Sequence, residues 1–500
     1  MNYYLCSTIL IAISSVFAVT RQFHMLQQNS YYPSRYLKWI GSSFINYLLL
    51  YSALYLISSA LYIFEFYLIQ LIFIALVLIV RIILSVRQQK KSIKPIVLTG
   101  RVKRLYGAVI VLFTALTAVY VINSHNILGR YFSVFIFLIS FFTPILTLIS
   151  WAITLPIEKL ISLWYIHDAK KVLKSHKDMK VIGVTGSYGK TTTKFILTRI
   201  LSEKYNVVCT PHSFNTPMGV VKTIREMLLP QTQIFVCEMG AKEVGNIKEV
   251  CNIANPHHGI ITSVGPQHLD TFKSIENVFK TKFELADAVA KNNGLTFVNG
   301  DSKEIIDRID GDYKIYGTNK DFEFFAENIS YGRYGSEFDV TLGGEKIHLT
   351  TKLLGLHSII DIVGAVALSY SLGVNANDIK YAVASLKPTE HRLEMKNFTA
   401  NSILIDDAYN SNPEGCLEAV NVLGSFEGMK KVIVTPGLVE LGEKEYECNY
   451  ALGKKATEKC DVIILVGKNR SKPMQDAVND SDFNKENLHV VSSFKEAMEI

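Results

Sequence analysis

Cysteine is sparse and unpaired in this chain. Cys6, Cys209, Cys237, Cys251, Cys416, Cys448 and Cys460 are scattered through 500 residues, with no C-x-x-C pair and no histidine at metal spacing. That argues against a disulfide framework or a zinc site and suits a reducing compartment. Charge is also modest: Asp, Glu, Lys and Arg make up 19% of the chain, and much of the formal net charge of +7 comes from one short loop. A nucleic-acid-binding surface is therefore not expected. Low-complexity segments and internal repeats are missing too. No basic residue precedes the first apolar run and no small-residue cleavage site follows it, which favours a retained helix over a secretory signal.

What is abundant is apolar sequence, 49% of all residues, concentrated before Trp164. Five runs, at about Tyr3–Val19, Phe44–Phe64, Phe66–Val86, Leu105–Ile122 and Tyr131–Ile153, approach the roughly 20 residues that a helix needs to cross a bilayer. Glu65 falls in a short turn at the interface, and Arg81 lies where it can snorkel, with a functional intramembrane charge as the alternative. Between the third and fourth runs lie Arg87, Lys90, Lys91, Lys94, Arg101, Lys103 and Arg104 without an acid, which assigns that loop to the cytoplasm. The N-terminus is then outside, while Arg21, Arg35, Lys38 and everything after the fifth run are inside. Residues 1–155 are thus expected to form a multi-pass domain in the cell membrane. Residues 156–179 form a juxtamembrane segment, in which Leu155–Leu173 is either an interfacial amphipathic helix or a plain linker.

Beyond Lys180 strands and helices alternate. Lys180–Val184, Gln233–Glu238, His258–Val264 and Gly294–Val298 read as buried strands, with helices at about Pro217–Leu229, Val244–Ala254 and Ile275–Lys291. Tyr313–Thr350 reads as an antiparallel edge, and a helix follows from Ser358 to Ser371. Near Pro388 a second α/β domain starts, with strands at Ile403–Asp406, Lys431–Pro436 and Val462–Val466. The fold class is an α-helical membrane domain followed by α/β: a central P-loop domain over 180–387, a parallel sheet flanked by helices with a small antiparallel edge, and a Rossmann-like domain over 388–500.

Between the first of these strands and its helix runs Gly183-Val184-Thr185-Gly186-Ser187-Tyr188-Gly189-Lys190-Thr191-Thr192-Thr193. Glycines at a strand-to-helix turn let backbone N–H groups approach phosphate, Lys190 reaches the terminal phosphates and the Thr191 hydroxyl can hold Mg²⁺. The spacing departs from G-x-x-x-x-G-K-[ST], which would need glycine at Val184. Taken alone, Glu238 could be an ordinary strand-end carboxylate, His268 a helix-cap histidine and Lys282 a plain helix lysine. Arg392 could pair with a surface acid, Asp407 could cap a helix, and Tyr409 could be core.

Taken together, these motifs resemble the Mur ligase family, ATP-dependent amide-bond ligases of bacterial cell-wall synthesis, from about Val181 to the end. Thr185-Gly186-Ser187-Tyr188-Gly189-Lys190-Thr191 is similar to the family's ATP loop, and Thr192 follows it. Asn215-Thr216-Pro217-Met218-Gly219-Val220 resembles its Asn-containing loop, which implies substrate contacts for Asn215 and Thr216. Glu238-Met239-Gly240-Ala241 resembles the motif whose glutamate binds the Mg²⁺ shared with ATP. Gly265-Pro266-Gln267-His268-Leu269-Asp270 resembles the one whose histidine binds a second metal. Thr281-Lys282-Phe283-Glu284 is similar to the Lys-x-Glu pattern whose lysine is carbamoylated and helps hold that second metal. Gly355-Leu356-His357-Ser358-Ile359-Ile360-Asp361 stands where the family has Gly-x-His-Asn-x-x-Asn, so Ser358 and Asp361 replace two asparagines of the adenine site. Glu390-His391-Arg392-Leu393-Glu394 resembles the interdomain arginine motif that reaches ATP phosphate. Asp406-Asp407-Ala408-Tyr409-Asn410-Ser411-Asn412-Pro413 resembles the motif opening the third domain, most of all in the branch that adds D-alanyl-D-alanine. It implies cofactor contact for Asp407 and substrate contact for Tyr409, Asn410 and Asn412.

The resemblance implies ATP, two Mg²⁺ sites built from Thr191, Glu238, His268 and carbamoylated Lys282, and catalysis by Lys190, His268, Lys282 and Arg392. A carboxylate is activated as an acyl phosphate and joined to an amino acid or short peptide amine. Such chemistry gathers several negative charges in one place, which cations must neutralise. Where the family's D-alanyl-D-alanine branch has a soluble domain gripping a UDP-sugar, this chain has its membrane region. The carboxylate is therefore expected on a lipid-linked or membrane-adjacent glycan or peptide. The chain stops where the family usually continues to a Gly-Asp and a last strand. Two other readings stay open: a membrane transporter or sensor with a cytoplasmic P-loop ATPase, although it lacks an ABC signature, and an inactive ligase-like scaffold.

Overall fold

The computed structural model describes residues 3–41, 57, 60–61, 66–91, 95–123, 143–332, 334–388, 391–399, 402–408, 413–439, 441 and 444–500. The chain separates into two units, Met1–Trp164 and Tyr165–Ile500. In the first, apolar runs become long helices: α1 (Tyr3–Gln28), α2 (Tyr67–Lys91), α3 (Gly100–Asn123) and α4 (Thr143–Ser175), which continues past Trp164. Val19, Phe23, Ile74, Leu105, Val109 and Leu146 form the core of this unit. α2 also leaves an aliphatic stripe exposed at helical spacing, through Leu68, Ile72, Leu76, Ile79, Ile83 and Val86.

Helices thus stand at the first, third and fourth expected spans. The second lies largely outside the described residues, as do residues 131–142 of the fifth. Among the described residues one helix, α4, is long and apolar enough to cross a membrane, so the fold does not establish five spans. α4 runs through the expected boundary at 155/156. The end of the fifth run and the juxtamembrane segment are one continuous helix with Pro156 inside it, where the ring removes one backbone N–H.

Polar groups distant in sequence meet within this unit. Gln27 Nε2 donates to the Val97 carbonyl at 2.9 Å and Tyr106 Oη to Thr20 Oγ1 at 2.8 Å. The Arg101 guanidinium lies 3.9 Å from the centre of the Tyr31 ring. Arg104 Nε donates to Glu158 Oε1 at 2.6 Å.

The second unit is built on β1 (Lys180–Thr185), buried from Val181 onward. Ile182 and Val184 join one core and Val181 the other, as expected of a strand covered on both faces. After it come α5 (Lys190–Leu201), β2 (Val207–Cys209), α6 (Pro217–Met227), β3 (Ile234–Glu238), α7 (Asn246–Ala254), β4 (His258–Ile261), α8 (Ile275–Ala290) and β5 (Thr296–Asn299). The sheet continues through β6 (Lys314–Gly317), β7 (Phe324–Gly332), β8 (Gly335–Leu342) and β9 (Glu345–Thr351), in the order β2-β3-β1-β4-β5-β6-β7-β8-β9. The pairs up to β6–β7 are parallel, and the antiparallel edge begins with β7–β8, one strand later than the sequence suggests. Helix α9 (Leu356–Ser371) then packs its Ile359, Ile362, Val363 and Val366 into the same core as Ile196 and Ile200 of α5.

Strand β1 lies between β3 and β4, with Val184 level with Glu238 on one side and with Ile260 on the other. The chain leaves β1 towards β2 and β3 and later crosses to β4. That topology opens a crevice at the strands' carboxyl ends.

The C-terminal part holds two further sheets. β10 (Glu394–Thr399) and β11 (Ser402–Asp406) form an antiparallel pair. Ile403–Asp406 is thus a strand as expected, but it is half-buried rather than buried and pairs with β10 in a sheet of its own. Helix α10 (Pro413–Gly424) follows, and β12 (Val432–Thr435), β13 (Val462–Val466) and β14 (Leu488–Val491) form a parallel sheet. Val420, Leu452, Ile463, Leu465, Met474 and Val478 make its core.

Candidate functional site

The turn from β1 into α5 is folded tightly against the end of β4. Gly189 has φ +78°, and a Cβ there would lie 2.6 Å from Asp361 Oδ1, so only glycine fits. At Gly186 a Cβ would lie 2.0 Å from Thr262 Oγ1. Gly183, the glycine that gives the motif its irregular spacing, has a packing role instead: a Cβ would meet Leu285 Cδ1 of α8 at 2.5 Å. Thr185 Oγ1 donates to the Met239 carbonyl at 2.9 Å, Ser187 N to the Ser263 carbonyl at 2.9 Å, and Tyr188 N to Ser263 Oγ at 2.8 Å. Thr185, Ser187 and Tyr188 therefore shape the cradle through these bonds.

Lys190 opens α5 and folds back over the loop, its Nζ donating to the carbonyls of Gly186 (2.8 Å) and Ser187 (2.9 Å). Burial lowers its pKa, Glu238 and Asp361 oppose that, and Arg392 adds to it. Thr191 Oγ1 donates to Glu238 Oε2 at 3.1 Å, so the expected pair of hard-oxygen metal donors does meet. Thr192, expected in the cradle, lines a different cavity of about 310 Å³ with Phe195, Arg199 and Leu353.

Glu238 has three side-chain partners. Besides Thr191, Lys194 Nζ donates to Oε2 at 3.0 Å and Asn215 Nδ2 to Oε1 at 2.9 Å. The ion pair is nearly dry, with side chains 0% and 1% exposed for Lys194 and Glu238. Asn215 thus orients the carboxylate. Thr216 caps α6 by accepting from Gly219 N, with Pro217 in the first turn. The sequence reading missed Lys194, although its position four residues after Lys190 puts both on one helix face.

Lys282 on α8 is 2% exposed. Burial pushes its pKa down to about 7, Lys190 lowers it further and Glu284 partly opposes. Glu284 itself caps α7, accepting from Gly245 N at 2.8 Å and Lys248 N at 2.7 Å. His268 is exposed, at φ +54° just before the short helix Leu269–Phe272.

Asp361, expected near adenine, is buried on α9 beneath the loop. Thr193 Oγ1 donates to its Oδ1 at 2.9 Å. Burial raises its pKa to about 7, against the pull of Thr193, Arg392 and Lys190. Arg392 is exposed in the loop before β10, and its charge acts on Lys190 and Asp361. Asp407 Oδ1 accepts from the neighbouring Leu393 N at 3.1 Å. Tyr409, Asn410 and Asn412 lie outside the described residues. His391, Glu394 and Asp406 form another cluster with metal-ligand geometry, but Lys396 Nζ is bonded to both Glu394 Oε2 and Asp406 Oδ2 at 2.8 Å.

A glycine-lined turn, a buried lysine, and a hydroxyl and carboxylate in contact suit a nucleotide with Mg²⁺, a cation that takes oxygen donors. Comparison with known proteins agrees. The family model for the Mur ligase middle domain matches residues 184–369, and that for the Mur ligase glutamate ligase domain matches residues 391–500. The chain carries the Mur ligase middle and C-terminal domains. It is 30% identical over 292 residues to the UDP-N-acetylmuramoyl-tripeptide--D-alanyl-D-alanine ligase of Bacillus subtilis (strain 168), covering 58% of this chain and 63% of that one. Against the Escherichia coli (strain K12) ligase of the same name it is 30% identical over 297 residues, with 58% and 65% covered. The chain thus spans less than two thirds of these Mur ligases. Among solved structures, MurF from Acinetobacter baumannii superposes with TM-score 0.57 at 24% identity, covering 68% of this chain and 73% of that one. MurF ligase from Thermotoga maritima in complex with ADP gives TM-score 0.57 at 23% identity, with 67% and 76% covered. These two establish the Mur ligase fold.

Proposed function

We propose that this chain is a membrane-anchored, ATP-dependent amide ligase of Mur type, which activates a carboxylate as an acyl phosphate and joins it to an amino acid or dipeptide amine. The observation that carries this reading is the contact of Thr191 with Glu238 beside Lys190, at the carboxyl ends of adjacent strands. The backbone of Gly186–Lys190 and the Lys190 ammonium hold the phosphates, and Thr191 and Glu238 hold the Mg²⁺ that offsets their charge. Arg392, reaching in from the C-terminal domain, stabilises charge on the transferred phosphoryl group. The amine attacks the acyl carbon, phosphate leaves and an amide remains.

Lys282 is suited to carbamoylation. Burial lowers its pKa to about 7, which favours the free amine that carbamoylation needs. That nitrogen would add to CO₂ and release a proton, leaving a carbamate that, with His268, would supply ligands for a second Mg²⁺.

The D-alanyl-D-alanine named in the ligases of Bacillus subtilis and Escherichia coli makes that dipeptide the first amine to test. The carboxylate is borne by a lipid-linked or membrane-adjacent glycan or peptide. Both family matches begin after residue 183, and the aliphatic stripe of α2 fits a bilayer. Contacts that join Thr20 and Gln27, Val97 to Tyr106, and Glu158 unite three segments expected on the cytoplasmic side, which supports the orientation with the N-terminus outside and the ligase domains inside.

The test is phosphate release by the full chain in detergent, with ATP, D-alanyl-D-alanine and either soluble UDP-muramoyl tripeptide or a lipid-linked muramoyl peptide. Release that requires both amine and lipid-linked acceptor is expected. Robust turnover of the soluble sugar nucleotide overturns the membrane-linked substrate, and release indifferent to any amine overturns the ligase.

A further inference from the structure

We propose that Lys194 is a resident counter-cation that keeps a divalent ion off Glu238 until nucleotide arrives, so that metal and nucleotide enter this site together. The proposal rests on the Mg²⁺-nucleotide reading above.

Lys194 is fixed from three sides. Its Nζ donates to Glu238 Oε2 at 3.0 Å and to the His212 carbonyl at 2.6 Å, and lies 4.4 Å from the centre of the Phe195 ring. The side chain is 0% exposed. One ammonium thereby ties together α5, the end of β3 and the loop that carries Asn215. Assembling so dry an ion pair is costly, and an apolar pair of similar volume often serves stability as well. Glu238 is needed as an anion, so the charge that accompanies it sets what else this carboxylate can bind.

The surroundings decide the consequence. Glu238 Oε2 accepts from both Lys194 and Thr191, and Oε1 accepts from Asn215. Without nucleotide, a divalent ion meets a neutral Lys194–Glu238 pair. It also meets Lys190, folded over the loop by its bonds to the Gly186 and Ser187 carbonyls. The Lys194–Glu238 pair carries no net charge, and the Lys190 ammonium adds a positive charge next to it. Such a site repels a dication, and the negative charge of a nucleotide reverses the balance. Lys194 is therefore a positioning residue, acting on metal through Glu238 without touching substrate.

The experiment is Mn²⁺ binding to the purified full chain, followed by electron paramagnetic resonance with and without ADP, together with thermal unfolding in Mg²⁺ alone. Wild type is expected to bind Mn²⁺ at this site only with ADP, and Mg²⁺ alone leaves its unfolding midpoint unchanged. In K194M and in K194Q, which keeps a donor for the His212 carbonyl, Glu238 is left uncompensated. Nucleotide-free Mn²⁺ affinity is then expected to rise by at least about tenfold, and Mg²⁺ alone raises the midpoint. K194R keeps wild-type behaviour, and adding E238Q to K194M abolishes the gain. The proposal is overturned if both K194M and K194Q bind Mn²⁺ no tighter than wild type, if neither variant can be recovered folded even in Mg²⁺, or if wild type binds Mn²⁺ equally well without ADP. Failure of wild type to bind Mn²⁺ even with ADP instead overturns the Mg²⁺-nucleotide reading, and this proposal with it.

Discussion

Replacing Asp361 by asparagine should stabilise the ligase unit at neutral and alkaline pH and leave it little changed in acid. Asp361 is buried under the phosphate loop, where its pKa is raised from 3.8 to about 7. A carboxyl group whose pKa rises on folding binds its proton more tightly in the folded state. Its contribution is fully present below about pH 4 and is lost as pH climbs through 7. Three units at about 1.4 kcal/mol each put the cost of the ionised form near 4 kcal/mol at pH 8. Asparagine keeps an acceptor for Thr193 Oγ1, the partner at 2.9 Å, and has no proton to lose. At about 2–4 °C per kcal/mol for a domain of this size, D361N should unfold roughly 10 °C above wild type at pH 8, with the gap closing towards pH 4. A thiol-reactive dye reports on this unit, because Cys237 and Cys251 are 0% and 4% exposed in its core and become reactive when it melts. Parallel pH profiles for the two proteins would refute the reasoning.

Carbamoylation of Lys282 predicts that stripping CO₂ and bicarbonate lowers wild-type turnover and that restoring bicarbonate recovers it; K282A should stay inactive under both conditions. Glu284 accepts two backbone N–H bonds at the start of α7, so E284A should cost about 1–2 kcal/mol by denaturant unfolding, whereas a catalytic role would show as lost turnover at unchanged stability. G189A, which forces a Cβ against Asp361 at a positive φ, should weaken ADP binding at least about tenfold, a loss near 1.4 kcal/mol measured by calorimetry.

Much of the second unit was legible because its signals are local. Buried strands such as Ile234–Glu238 are continuous apolar runs, and Gly189-Lys190-Thr191 announces its turn and helix. Strand β2 escaped because Val207–Cys209 is three residues long at the sheet edge. Ile403–Ile405 reads as a strand, but nothing local says that its partner is Glu394–Thr399. At the site, residue types pointed to Lys190, Thr191 and Glu238, which do converge. They did not foretell the contacts of Asn215, Thr216, Thr192 and Asp361 with Glu238, the start of α6, a second cavity and Thr193, which depend on what stands opposite after folding. Lys194 is the sharpest case: a lysine on an apolar helix reads as a surface charge until the strand carrying Glu238 is placed beside it. The N-terminal unit was legible as helices, since apolar runs dictate them, but the continuity of α4 past Pro156 was not, because a proline usually marks a helix end.

The most direct test of the central claim is the mass of the product formed when the full chain, in its native membranes, is given ATP, Mg²⁺ and D-alanyl-D-alanine. A membrane-linked species heavier by the dipeptide less one water, formed with one ADP and one phosphate released, is what the ligase account predicts. Hydrolysis of ATP at the same rate with and without the dipeptide, and no species of that mass, would contradict it.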